Sequence, residues 1–551
     1  MTGYQTIASG STSGALTGGI MAHHRRIRNP KAGGGHASMM SSNINLVNTI
    51  VGAGTLAMPA AMSHFGVTLG VLLILWCGLT SAFGLYLQAR CARYLDRGTS
   101  SFFALSQITY PNAAVVFDAA IAIKCFGVGV SYMIIIGDLM PGVAESFGSA
   151  DWGLPFLHDR KFWITAFFLL FIIPLSFPRR LDSLKYTSMV ALLAIGYLII
   201  LVVYHFAADE IPNERDIRLI RWEGPVAALS SLPVVIFAYT CHQNMFSILN
   251  EIKDNSPGSI VAVIASSIGS AASIYVLVAI TGYFTFGNDV KGNIVSMYPP
   301  SVASTIAKAA IVALVTFSIP LQIHPCRASI DAVLRWRPGN KGQRSPNGGG
   351  LASGTQPLLP TASPSPAAAA LDSHGAPAVA MSELRFALIT SAILVLSYIT
   401  ALRVSTLDRV LAYVGSTGST AISFILPGLF YYKISDPDSI YHQRLSKEDD
   451  DAVYASDDAP VNDGRDHPAG VGDNDEEDVL ATSVTSLRSA GSTTARSRGA
   501  RGGAGGRWRR KWRWDLEHLE TSLLRKLAVG LSAYGVCVMV VCLGMNAFFP
   551  H

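Results

Sequence analysis

The sequence predicts an all-α integral membrane protein. Eleven transmembrane helices are expected, arranged as a five-plus-five inverted repeat with interrupted helices 1 and 6 and an added helix 11. Three observations carry that prediction. Only 14% of the 551 residues are charged and 50% are hydrophobic, whereas about a quarter of an average soluble domain is charged. The apolar residues fall in blocks of roughly twenty, the length that crosses about 30 Å of hydrocarbon at 1.5 Å per residue, and such blocks cross lipid as helices. Two of these blocks, five apart in order, are broken near the middle by small or polar residues.

The spans fall at roughly 43–64, 67–89, 113–141, 162–178, 186–206, 226–250, 260–284, 302–324, 384–402, 408–432 and 525–549, each an apolar run bounded by charge or turn residues. Residues 1–42 are rich in Gly and Ser and lack the apolar stretch of a cleavable signal, so they read as a disordered cytosolic N-tail and the first span directs insertion. With that tail in the cytosol, sixteen Lys and Arg of the loops face inward and eight outward, the bias that sets orientation. An odd number of spans then puts the C-terminal Pro550-His551 in the lumen.

Residues 43–432 are the ten-helix core. Inside it, 338–382 reads as a disordered cytosolic loop of Gly, Pro, Ala and Ser. A second such loop, 433–524, runs from an acidic block (Glu448-Asp449-Asp450-Asp451) to Arg/Gly segments and leads into helix 11. Basic and Trp residues alternate from Arg507 to Trp514, a pattern that fits contact with anionic lipid just before a span. The formal charge of +5 sums different compartments, and no folded basic face is offered to nucleic acid. The seven cysteines lie in or at the ends of apolar spans without metal-site spacing, so neither a disulfide framework nor a metal is expected.

The interruptions carry the chemistry. Span 1 reads Asn45-Leu-Val-Asn-Thr-Ile-Val-Gly-Ala-Gly-Thr-Leu-Ala-Met-Pro59. Gly52-Ala53-Gly54 leaves the backbone free to unwind, and Pro59 suits the first turn of a restarting helix. Span 6 reads Ile236-Phe-Ala-Tyr-Thr-Cys-His-Gln-Asn-Met-Phe246, a polar island in an apolar helix. The two cross the membrane in opposite directions, the arrangement in which many secondary transporters bind substrate. The N–H groups of a restarting half-helix suit a carboxylate, and the C=O groups of an ending one suit an ammonium or alkali cation. A zwitterionic amino acid satisfies both. The alternative for Gly52-Ala53-Gly54 is close helix packing through small residues.

Other polar residues lie at membrane depth. Lys124 in span 3 would cost about 2.5–3.5 kcal/mol if unpaired at the bilayer centre, so it must face the bundle, for structural pairing or for ion coupling. His242 stands at the span 6 break, and a histidine is the side chain whose ordinary titration spans the gap between an acidic lumen and the cytosol. No P-loop and no nucleophile elbow occur, so neither an enzyme nor an ATP-driven pump is expected, and no cofactor beyond a proton or sodium gradient.

The strings Asn45-Leu-Val-Asn-Thr-Ile-Val-Gly-Ala-Gly-Thr55, Phe237-Ala-Tyr-Thr-Cys-His-Gln-Asn244 and Ile319-Pro-Leu-Gln-Ile-His-Pro-Cys-Arg327 resemble the amino acid/auxin permease family. The likeness is nearest to its fungal vacuolar amino acid transporters and more distant to the animal sodium-coupled neutral amino acid transporters. It covers all the spans and implies the five-plus-five fold. It also implies a proton-coupled carrier of neutral or other small amino acids in a vacuolar or lysosome-like membrane. Ion contacts would fall at Asn48 and at Thr316 or Ser318. The substrate carboxylate would sit at Gly54, Thr55 and Leu56, beside the unwound Gly52 and Ala53. Carbonyls of span 1 and of Phe237 to Thr240 would take the ammonium, and Phe237 and Tyr239 would shape the side-chain pocket. Gly3-Tyr4-Gln5-Thr6-Ile7 resembles the short signal by which a sorting adaptor directs membrane proteins to lysosome-like compartments. An amino acid-sensing receptor with little flux and a plasma-membrane sodium symporter are the alternatives.

Overall fold

The computed structural model describes residues 35–95, 98–148, 154–178, 187–208, 216–335, 381–445 and 521–548. Among these the chain is helical, with no strand beyond one isolated bridge between Ala37 and Ile252. Among the described residues nine helices are long and apolar enough to cross a membrane, or ten when one bent pair is taken as a single span. The span expected at 162–178 falls on a shorter helix of seventeen residues, 160–176.

The bent pair comes first: α1 (Met39–Ile50) and α2 (Ala53–Phe65) meet at 54°. The helix begins four residues before the expected span because Ser38 caps it, its hydroxyl accepting from Ser41 N–H at 3.1 Å. Gly66 turns the chain at φ +74 into α3 (Val67–Ala92). The short α4 (Phe102–Thr109), capped by Ser101, leads to the long α5 (Ala114–Ser146). Asp159 caps α6 (Arg160–Phe167), which passes through a π-helical stretch into α7 (Ile173–Ser176). Next come α8 (Thr187–Ala208) and α9 (Pro225–Ala238) with a proline at its start, where the fixed φ fits and no donor is lost. Three residues separate α9 from α10 (His242–Glu251). Pro257 opens α11 (Pro257–Phe286), which precedes α12 (Val302–Arg335) and α13 (Glu383–Arg403). Then α14 (Leu407–Val414) continues through two π-helical stretches into α15 (Leu426–Ile434), and α16 (Thr521–Phe548) ends the described chain.

Burial separates centre from rim. The most apolar window of Leu407–Ile434 is 83% buried and that of Pro111–Ser146 78%, against 33% in Ser522–Phe548. α16 therefore lies at the edge, fastened to the π-helical stretch just before α15 where Ser532 donates to the Ile425 carbonyl at 3.1 Å. Large apolar side chains on the outward faces of α3, α8 and α13, such as Leu79, Leu193 and Leu384, are exposed, as lipid contact requires. Small residues let the central helices approach: a Cβ on Gly415 would overlap the Pro233 carbonyl, and one on Gly418 would lie 2.8 Å from the Ala120 oxygen.

Two further ties position the site. Ala37 N–H donates to the Glu251 carbonyl and Lys253 N–H to the Ala37 carbonyl, each at 2.9 Å, fixing the start of α1 to the end of α10. At the opposite end of α2, segment 216–224 straps over the α2–α3 turn: Val67 and Thr68 N–H donate to the Arg218 and Leu219 carbonyls, each at 3.0 Å.

Candidate functional site

Span 1 is interrupted where the small residues stand. α1 ends at Ile50, Val51 leaves helical geometry at ψ 88, and α2 restarts at Ala53. Gly52 precedes that restart without a side-chain hydrogen bond, so the first N–H groups of α2 receive no side-chain acceptor. Pro59 lies six residues into α2, past its first turn, and packs towards Gly282. The unwinding therefore owes nothing to proline.

A cleft with about 520 Å³ of empty space, its mouth included, opens beside this break. Asn48, Gly52, Ala53 and Leu56 form one wall, and Tyr132 of α5, Ile195 of α8 and Ser318 of α12 stand among the residues facing them. Among the described residues the lining is apolar apart from Asn48, Tyr132 and Ser318, and no charged side chain belongs to it. The Asn48 Oδ1 atom is buried without a hydrogen-bond partner, while the Ser318 hydroxyl donates back to Leu314 at 2.8 Å. A polar group with no partner beside a cleft is a position that a ligand can satisfy.

The structure thus gathers Gly52, Ala53, Leu56, Asn48 and Ser318 at one cleft. The other expected residues lie elsewhere. Gly54 packs on α9: a Cβ there would lie 2.5 Å from the Ala238 Cβ. Thr55 is fully buried, with its hydroxyl unpaired. Thr316 is buried in α12 and donates to the Val312 carbonyl at 2.7 Å. Phe237, Tyr239 and Thr240 are buried outside the cleft lining.

Span 6 opens over Tyr239-Thr240-Cys241, and its free groups are met from inside the protein. Ser81 donates to the Tyr239 carbonyl at 3.1 Å, and Gln88 Nε2 to the His242 carbonyl at 2.9 Å. Tyr275 of α11, fully buried, places its hydroxyl 2.6 Å from the Ile50 carbonyl and 2.8 Å from the Ala238 carbonyl. These are the last residues of α1 and α9. Asn244 adds a link from α10 to α1, donating to the Thr49 hydroxyl at 2.9 Å. Tyr275, Ser81 and Gln88 are residues that the sequence did not single out. The available signal was the requirement that orphan carbonyls at two helix ends find donors.

Lys124 and His242 form a second polar region behind the breaks. Lys124 is 4% exposed and lies against Gly418, within electrostatic range of Cys241 and His242. The Asp138 carboxylate of its own helix pairs instead with Arg160 at 3.0 Å. Among the described residues no ion pair or hydrogen bond reaches the Lys124 ammonium. His242 is fully buried beside Gly84, and neither ring nitrogen is in hydrogen-bond geometry with a partner.

At the strapped end, His64 Nδ1 lies 2.6 Å from Glu223 Oε2, and Arg218 Nη1 lies 3.1 Å from the same oxygen. Burial opposes the Glu223 charge, but hydrogen bonds and charge from His64 and Arg218 outweigh it and hold the carboxyl below its usual range. The motif at Gly3, Tyr4 and Ile7, the run from Arg507 to Trp514 and the acidic block lie outside the described residues.

Comparison with known proteins places this geometry. A family described as "Transmembrane amino acid transporter protein" matches residues 35–450. "Vacuolar amino acid transporter 6" of Saccharomyces cerevisiae is 42% identical over 419 residues, which cover 72% of this chain and 90% of that one. "Vacuolar amino acid transporter 5" of Schizosaccharomyces pombe is 43% identical over 403 residues, covering 73% and 86%. "Sodium-coupled neutral amino acid transporter 7" of Bos taurus is 29% identical over 308 residues, covering 55% and 66%.

Proposed function

Because this chain belongs to the transmembrane amino acid transporter family, we propose that it carries small neutral amino acids across a vacuole-like membrane in step with protons. The family and these relatives are transporters, not enzymes. The observation that carries the reading is the cleft at the uncapped start of α2. A carboxylate there meets first-turn N–H groups that no side chain caps and the positive end of the helix dipole. Asn48 supplies an amide beside it, and Gly52 lets the backbone approach. The absence of charge from the described residues of the lining favours an uncharged substrate side chain.

The fold in this proposal is a five-plus-five inverted repeat of spans 1–10 with α16 as the eleventh. Two interruptions five spans apart, packed together at Gly54 and Ala238, support it. Vacuolar relatives support the compartment, and the Lys and Arg bias of the loops supports a cytosolic N-terminus and a luminal C-terminus. The buried Lys124 and His242 support protons as the driving ion, each being able to hold one.

One observation favours sodium instead: Asn48 and Ser318, two oxygen-bearing side chains, line the same cleft. Uptake of labelled amino acids into sealed vesicles separates the two, with pH and sodium gradients imposed one at a time. Proton coupling requires flux that follows the pH gradient and survives replacement of sodium by choline. Flux that needs sodium and ignores pH selects the symporter, and no flux on either gradient removes the carrier reading.

A further inference from the structure

The C-terminal ends of α1 and α9 converge on one hydroxyl. Ile50 ends the first helix and Ala238 the second, so both carbonyls lie at the negative end of a helix dipole and have no intrahelical donor. Their oxygens stand 2.6 and 2.8 Å from the Tyr275 hydroxyl, whose single proton serves both. Thr55 adds a third oxygen. Its hydroxyl is fully buried and near Tyr275 Oη, though outside hydrogen-bond geometry with any partner. In transporters with interrupted helices, unwound carbonyls and half-helix C-termini are where alkali cations are held. Here an uncharged side chain from α11 occupies that position.

We propose that the Tyr275 hydroxyl stands in for a monovalent cation between the two carbonyl ends and so determines ion selectivity, closing this position to sodium. The proposal rests on the reading of the chain as an ion-driven amino acid carrier and deepens it. The tyrosine arrives covalently, so the two broken helices are joined in the absence of any ion. A protein lacking the hydroxyl would leave the Ile50 and Ala238 carbonyls without their donor, with Thr55 Oγ1 nearby, so that a cation or water must meet them in its place.

The test compares full-length wild type and Tyr275→Phe in proteoliposomes, with the same pH gradient and with sodium or choline as the bulk cation. Wild-type uptake of a labelled neutral amino acid is expected to be the same in both. Tyr275→Phe should fall about tenfold in choline, the scale of one lost interaction, and recover saturably as sodium is added. Its melting temperature in crude membranes should rise with sodium, as it must when a ligand binds the folded state, by more than any rise in wild type. Tyr275→His, too short to reach both carbonyls, should show the same sodium-dependent melting, so poor accumulation of the Phe variant does not end the test. Two variants that respond to sodium no more than wild type, in flux and in melting, overturn the proposal. Failure of the carrier reading is distinct: wild type would then take up no labelled amino acid on any gradient.

Discussion

Gly54 and Ala238 meet where the two interrupted helices cross, so closely that a Cβ on Gly54 would lie 2.5 Å from the Ala238 Cβ and 2.8 Å from its Cα. Two residues earlier, a Cβ on Gly52 would meet nothing within 4 Å. One tripeptide therefore does two separate things: its first glycine faces the cleft, and its last holds α2 against α9.

That division predicts opposite phenotypes. Gly54→Val overpacks a backbone contact and should cost about 1–3 kcal/mol, seen as a lower melting temperature and reduced abundance. Gly52→Ala should leave abundance near wild type and lower amino acid uptake, because its methyl enters the cleft. Abundance and flux measured in the same membranes check both, and a stable Gly54→Val protein would disprove the packing role.

Asn48 gives a second comparison. Its Oδ1 is buried without a partner, so Asn48→Ala removes an unsatisfied polar atom and should not lower stability. Uptake should fall by at least about tenfold if the amide contacts substrate or ion, the worth of roughly 1.4 kcal/mol. Uptake within twofold of wild type would take Asn48 out of the site.

For Lys124, the outcome to watch is coupling rather than total activity. Replacing a buried ammonium that has no partner among the described residues by Lys124→Met removes a desolvation cost, so the protein should be as abundant as wild type or more so. Net uptake driven by a pH gradient should drop about tenfold, while exchange of labelled for unlabelled amino acid across the membrane persists. An unchanged pH response would leave Lys124 with a packing role only.

Glu223 supplies a pH dependence outside the spans. Its carboxyl is held below the ordinary value of 4.5, so its contribution to stability is complete above that value and fades as pH falls through the lower folded-state value. The group is largely exposed, so the pair contributes only about 0.2–1 kcal/mol. Glu223→Gln should lower the melting temperature by about a degree or two at pH 6–7 and by nothing at the acid end, where wild-type Glu223 is itself protonated. An equal loss at all pH values would assign the effect to shape rather than charge.

Nine or ten of the eleven expected spans were legible among the described residues because crossing lipid demands one long apolar run per helix, and runs survive in a single sequence. The break at Gly52 was legible for the same reason, since glycines stand out there. Pro59 misled because its place depends on where the helix restarts, and α2 begins at Ala53 without its help. Which way each side chain points was not legible. Thr55 and Leu56 are neighbours in sequence, yet Leu56 lines the cleft and Thr55 is buried near Tyr275. Tyr275 itself reads as one more apolar-span aromatic until the carbonyls of Ile50 and Ala238 are seen beside it.

The bridge between Ala37 and the end of α10 sets a limit on the resting population. Any movement that carries the start of α1 away from α10 must break both of its backbone hydrogen bonds, Ala37 to Glu251 and Lys253 to Ala37. At about 0.5–1.5 kcal/mol net each, they bias the closed arrangement by roughly 1–3 kcal/mol. These two bonds by themselves leave the separated form at roughly 1–15% of the population, so thermal motion samples it continually.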